Sequence, residues 1–251
     1  MDGQLDWAST ATVGPAITLS GTLTLGGRAL ARDVAIEAEA GRWTAILGRS
    51  GVGKTTLLKA IAGLLAPNEF DGRVAAADGA PLAGRIAWMA QKDHLVPWLN
   101  AVENAALGAR LRREPVDWTR ARAALDAVGL TPRADADVSE LSGGERQRVA
   151  LARTLLEDRP VALLDEPFSA LDAVTRAELQ ELAAARLRGK TVLLVTHDPF
   201  EAARLADRLY ILRASGTEPV PAPPSPGPRD PAEPGAQKAA AALLATLRGA
   251  P

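Results

Sequence analysis

The run Gly48-Arg49-Ser50-Gly51-Val52-Gly53-Lys54-Thr55 constrains this chain more than any other part of it. It fits the spacing G-x-x-x-x-G-K-[ST], and it sits between two elements that such a loop requires. Before it, Trp43 to Leu47 reads as a short buried strand; after it, Leu57, Leu58, Ile61, Leu64 and Leu65 recur at helical spacing over Lys54 to Leu65. Glycines let successive backbone N–H groups turn onto an anion with no Cβ in the way, and the helix N-terminus adds about half a positive charge. The loop is therefore expected to cradle phosphates. Lys54 would reach the β/γ-phosphates, Thr55 would offer its hydroxyl to Mg²⁺, and Thr56 is placed for a hydrogen bond to an α-phosphate.

Three more apolar runs, Ile86–Met89, Val161–Leu164 and Val192–Val195, are separated from one another by helical pattern, which predicts an α/β fold on a mostly parallel sheet. Ahead of the loop, Ile17, Leu19, Leu23, Leu25, Val34 and Ile36 alternate loosely around Gly26-Gly27, which predicts a small antiparallel β layer. Between Leu99 and Asp135 only helical spacing remains, broken at Pro115 and Pro132, so a helical lobe is expected as an insertion over about residues 92–158. Proline then recurs at nearly every second position from Pro219 to Pro234. Residues 215–251 are accordingly expected to be a disordered Pro/Ala-rich tail, with at most a short helix from Gln237 to Arg248. Removing everything after Val220 is expected to leave the chemistry of the rest intact.

Composition narrows the function further. With 29 Lys+Arg against 30 Asp+Glu, the chain lacks the basic excess that a nucleic-acid backbone selects, and no nucleic-acid partner is expected. The absence of cysteine removes disulfides, thiolate nucleophiles and Cys-held metals. No window approaches the roughly 20 apolar residues of a bilayer span. Met1 to Thr10 lacks the basic start and apolar stretch of an export signal, so the chain is expected in the cytoplasm.

Val161 to Pro167 is a buried-strand run that ends in two adjacent carboxylates. Asp165, at the strand's end, can hold Mg²⁺ through water, and Glu166 would then face an attacking water as general base or polariser. Upstream lies Leu141-Ser142-Gly143-Gly144-Glu145-Arg146-Gln147-Arg148. Ser142 and the two glycines make a second amide-rich helix start, so a single chain carries two half-sites for anions.

That string, followed by a buried strand ending Asp-Glu, resembles the signature of ATP-binding cassette (ABC) ATPases, and the resemblance runs from about Ile17 to Leu212. It implies a P-loop NTPase core over residues 16–214 that binds and hydrolyses ATP with Mg²⁺. It also implies that Ser142, Gly143 and Gly144 complete the ATP site of a second copy, so that two cassettes close head to tail on two nucleotides. Gln91 is similar to the Q-loop glutamine that senses Mg²⁺ and the attacking water. Ser169-Ala170-Leu171-Asp172 is similar to the D-loop that crosses to the other copy, and His197 to the switch histidine that holds the γ-phosphate. One departure stands out: where many cassettes stack an aromatic residue on adenine, this chain has Leu25.

The cassette resembles a bacterial importer subunit. That resemblance implies transmembrane permease subunits as membrane partner, an indirect link to a periplasmic solute-binding protein, and a peripheral location on the cytoplasmic face of the inner membrane. An exporter or lipid-extraction system is the alternative. The segment His94-Leu95-Val96-Pro97-Trp98-Leu99-Asn100-Ala101-Val102-Glu103-Asn104 resembles cassettes of the nitrate/sulfonate/taurine group. Pro97 stiffens this loop, and Leu95, Val96 and Trp98 would give it an apolar face for a permease helix, unless Trp98 is core of the lobe.

Overall fold

A computed structural model describes residues 13–248, so the leader reading of Met1 to Thr10 lies outside the described residues. In chain order come β1 (Ile17–Leu25), β2 (Arg28–Ala38), β3 (Trp43–Leu47), α1 (Lys54–Ile61), β4 (Phe70–Ala76) and β5 (Ile86–Met89). The helical lobe supplies α2 (Ala101–Ala105), α3 (Leu107–Leu111), α4 (Trp118–Ala127) and α5 (Gly143–Leu156). The chain then returns to the sheet with β6 (Val161–Asp165), α6 (Ala173–Arg186), β7 (Thr191–Val195), α7 (Pro199–Leu205), β8 (Arg208–Arg213), β9 (Gly216–Val220) and α8 (Pro234–Arg248).

The main sheet has the order β5-β6-β7-β3-β8-β9 and is parallel as far as β8; β9 returns antiparallel on its edge. Strands β3, β6 and β7 are buried along their whole length, which is why their sequences read as unbroken apolar runs. Their side chains still alternate between the two faces. Ile46, Leu163, Leu193 and Val195 join Leu57 and Leu58 of α1 and Ile17, Leu19 and Ile36 of the antiparallel layer β2-β1-β4. On the other face, Leu47, Leu164 and Leu194 meet Leu125, Leu151, Leu205 and Leu243 from the helices. Two cores therefore sandwich one sheet, and every strand-to-helix loop of the parallel part leaves from the same edge, the carboxyl ends of the strands.

The structure departs from the sequence reading in two places. Helix α1 stops at Ile61 rather than Leu65: Leu64 N donates back to Lys59 O at 2.9 Å, which closes the helix and leaves Leu64 largely exposed. Of the two readings of Trp98, the structure takes the exposed one: it is 80% exposed and not core of the lobe. Its loop is instead fixed by the fully buried Asn104, whose amide accepts from Val96 N at 2.7 Å and donates to the carbonyls of Val96, Leu99 and Asn100.

The second departure is the tail. The segment expected to be disordered forms β9, an irregular strap over residues 221–233, and α8, which buries Ala236, Ala240 and Leu243 against the α7 region. Its prolines do not oppose this placement. Pro219 stands on an edge strand, where a missing N–H costs no ladder bond, and small alanines on α7 and α8 let the two helices approach closely.

Candidate functional site

At the end of β3 the chain enters the glycine loop. Gly48 is required by packing, since a Cβ there would lie 2.7 Å from Leu212 O. Gly53 caps α1 with φ 105°, a backbone conformation that side chains disfavour. Lys54 begins α1 and is only 7% exposed, with its Nζ donating to Gly48 O at 2.9 Å and to Arg49 O at 3.2 Å. Burial pushes the Lys54 ammonium below its ordinary value, and the nearby Glu166 and Asp165 carboxylates pull it back up. Arg49, Ser50 and Gly51 form the open tip of the loop, and Thr55 and Thr56 follow half-buried in the first turn of α1.

Strand β6 brings Asp165 beneath that turn, where Thr55 Oγ1 donates to Asp165 Oδ2 at 2.7 Å. Asp165 is 1% exposed, and burial raises its carboxyl above the usual range; Thr55 and Lys54 counter the shift and Glu166 adds to it. A buried acid beside a hydroxyl is a hard-oxygen pair short of positive charge, and it suits Mg²⁺, which takes one or two protein oxygens and completes its shell from phosphates and water. Among the described residues there is no cluster of three or more His, Cys, Asp or Glu placed for a metal.

Glu166 is the next residue, and its backbone is left-handed, φ 51°. For a non-glycine residue that conformation costs about 1 kcal/mol or more and persists only where neighbours impose it. Here Glu166 N donates to Val195 O at 2.8 Å, while Gln147 Nε2 and Ser169 Oγ donate to Glu166 O, each at 3.0 Å. The side chain so aimed places Oε2 3.3 Å from Gln91 Nε2 and 3.4 Å from His197 Nδ1. Gln91 and His197, which follow β5 and β7, thus converge on one carboxylate oxygen of Glu166, which follows β6, next to the Thr55–Asp165 pair. Such a cluster can take a proton from a water and orient the water that loses it.

Ser142, Gly143 and Gly144, expected to form a second anion half-site, stand apart from this cluster. Ser142 caps α5 through a reciprocal capping box with Glu145, accepting from Glu145 N at 3.2 Å, and a Cβ on Gly144 would sit 3.3 Å from Ala170 O. Among the described residues no hydrogen bond joins Ser142, Gly143 or Gly144 to the glycine loop. Asp172 caps α6, accepting from Val174 N and Thr175 N. Leu25 ends β1 opposite Arg28 and is half exposed.

Gln147 went unassigned in the sequence reading. Besides Glu166 O it holds Ala170 N, which donates to Gln147 Oε1 at 2.9 Å, so one side chain ties the signature helix to both Glu166 and the loop after it. Nothing in its spacing announces this, because its partners are main-chain atoms of a distant turn.

Below His197 lies a second buried acid, Glu201, whose carboxyl burial pushes up to about 7; Asp198 adds to the shift, and Thr196, Gln180 and Arg176 oppose it. Unfolded, this acid ionises near 4.5. The folded state therefore holds the extra proton between those values, and its stability falls as pH rises through that window. Glu201→Gln is expected to raise stability by ~2–3 kcal/mol at pH 8 and to change little near pH 4.5. Denaturant midpoints at the two pH values check this; equal midpoints at pH 8 would show that Glu201 carries no such burden.

The ABC transporter family profile matches residues 31–169 of the chain. An ABC transporter ATP-binding protein of Haemophilus influenzae is 43% identical over 198 residues, 78% of this chain and 81% of that protein. An aliphatic sulfonates import ATP-binding protein of Rhodococcus jostii is 47% identical over 186 residues, 73% of each chain. Among solved structures, a dimeric ATP-binding cassette in a post-hydrolysis state, bound to ADP and Pi, superposes with a TM-score of 0.71 at 28% identity, covering 82% of this chain and 99% of that one. Aliphatic sulfonates import ATP-binding proteins stand among its relatives at 44–47% identity, so the exporter alternative is not favoured. With its α/β P-loop core, glycine loop and signature helix, the chain belongs to the ABC transporter family, as an ATP-binding and ATP-hydrolysing subunit that energises a membrane importer.

Proposed function

We propose that two copies of this chain close head to tail around two Mg²⁺-ATP molecules to drive uptake of a small sulfonate. The observation that carries the catalytic part is the convergence of Gln91 and His197 on Glu166 Oε2 beside the Thr55–Asp165 pair. The glycine-loop amides and Lys54 hold the β/γ-phosphates, and Thr56 meets the α-phosphate. Thr55, Asp165 and Gln91 would hold Mg²⁺, which when bound would supply positive charge against the phosphates. Glu166 takes the proton of the attacking water, which Gln91 orients, and His197 holds the γ-phosphate. Ser142, Gly143 and Gly144 meet the γ-phosphate of the other copy, with Ser169 and Asp172 near the crossing between copies. Leu25 offers adenine an apolar contact rather than a stack, so phosphate recognition dominates affinity.

The subunit works on the cytoplasmic face of the inner membrane, docked on permease subunits that receive solute from a periplasmic binding protein. No helix among the described residues is long and apolar enough to cross a membrane, in keeping with a peripheral place. The solute class rests on the aliphatic sulfonate importers among the relatives. Reconstituting the subunit with its cognate permease and solute-binding protein tests the reading. ATP-dependent accumulation of an alkanesulfonate in the vesicles is expected; accumulation of some other solute alone would overturn the class, and ATP-driven efflux would overturn the direction.

A further inference from the structure

We propose that the C-terminal strap is a catalytic brace, with Arg229 as a positioning residue that acts through α7 on His197. The inference rests on the γ-phosphate role proposed for His197. Helix α7 has seven residues, too few to hold its own shape, and it follows His197 directly through its cap Asp198. Its N-terminal end is fixed by Asp198, which accepts from Phe200 N at 2.8 Å. Its C-terminal carbonyls find their donor far along the chain. Arg229 Nη1 donates to Ala203 O and to Ala206 O, both at 2.8 Å, and Arg229 N donates to Arg204 O at 2.9 Å. A guanidinium there satisfies orphan carbonyls and complements the negative end of the helix dipole.

Arg229 is itself locked in place. It is 3% exposed, with Nε donating to Ser225 O and Nη2 to Pro223 O, so the strap wraps its own arginine. Arg204 of α7 reciprocates, donating from Nε to Arg229 O at 3.1 Å and from Nη1 to Gln180 Oε1 of α6 at 2.6 Å. Gln180 in turn donates to Glu201 Oε1 at 3.3 Å, on the first turn of α7. The strap also runs against the helix backbone, since a Cβ on Gly227 would lie 2.4 Å from Leu205 O. Beside the His197 turn, Pro231 and Gln237 from the strap and α8 share the walls of a cavity of about 180 Å³ with Asp198 and Phe200.

The loop that presents His197 thus hangs between β7, fixed by the sheet, and α7, fixed by the strap. The glycine loop and α1 belong to the opposite core and touch none of these bonds. Loosening the strap should therefore misplace His197 and leave the phosphate cradle as it is. This reverses the expectation that the residues after Val220 are dispensable.

The test compares Arg229→Ala, Arg229→Lys, His197→Ala and the double variant Arg229→Ala/His197→Ala in the full chain, measuring steady-state Mg²⁺-ATP hydrolysis and nucleotide affinity. Arg229→Ala is expected to lower kcat about tenfold or more with the ATP Kd unchanged. Arg229→Lys keeps a buried cation but not the fork; it should fall between, and it stands in as the single variant if the alanine form does not fold. On the His197→Ala background the Arg229 change should cost nothing further, because the two act as a unit. Parent-like kcat in a folded Arg229 variant overturns the brace, as does a further multiplicative loss in the double variant. If His197→Ala alone turns over at the parent rate, it is the assignment of His197 that fails.

Discussion

Glu166→Gln is expected to abolish steady-state ATP hydrolysis while leaving nucleotide affinity intact. The amide keeps the size of the carboxylate and the left-handed backbone that aims it, but it cannot accept a proton from water. General-base contributions of this kind are worth about 10²–10⁴ in rate. Its neighbours would remain: Gln91 and His197 can still hydrogen-bond a side chain at that position, and the Thr55–Asp165 pair is untouched. The variant should consequently accumulate as a nucleotide-bound dimer, visible by light scattering or analytical ultracentrifugation with Mg²⁺-ATP and absent with Mg²⁺-ADP. Hydrolysis at the parent rate would remove Glu166 from the role of base. A protein that stays monomeric with ATP at all concentrations would remove the head-to-tail closure.

The second large effect is expected from Lys54→Ala. The ammonium is nearly buried and already held by two loop carbonyls, so its position is set before any phosphate arrives. Charge-assisted hydrogen bonds to phosphate in so protected a place are worth about 1.5–3 kcal/mol each, or roughly 10- to 100-fold in Kd. Calorimetry with ATP should show that loss, and hydrolysis should fall with it. The buried Asp165 and the partly buried Glu166 also lose the cation beside them, so the variant should bind Mg²⁺-free ATP worst of all. Unchanged affinity would mean that the loop amides alone carry the phosphates.

Some parts of this molecule can be read from residue order and some cannot, for identifiable reasons. Strands β3, β6 and β7 are legible because burial on both faces leaves unbroken apolar runs, each ending in a turn. Strand β4 is not, since Asp71, Gly72 and Arg73 are exposed and its only partner is β1. Gly48–Thr55 and Asp165-Glu166 are legible because phosphate and metal chemistry demands fixed residue types at fixed spacing. Gln147, Asn104 and Arg229 escape such reading. Each works by holding main-chain carbonyls or amides that folding brings near, and a main chain leaves no trace in side-chain pattern. The strap misleads for a related reason. Its proline content argues against a core of its own, and it has none; it borrows the alanine face of α7.

The left-handed turn at Glu166 has an evolutionary corollary. A residue held in that conformation is a standing liability to the fold, tolerated only while its carboxylate is needed. In a duplicated gene relieved of turning over nucleotide, drift at this codon toward glycine or asparagine would relax the backbone and be favoured on stability grounds alone. Position 166 is therefore where a descendant that has retired from catalysis would first declare itself, ahead of any change in the glycine loop.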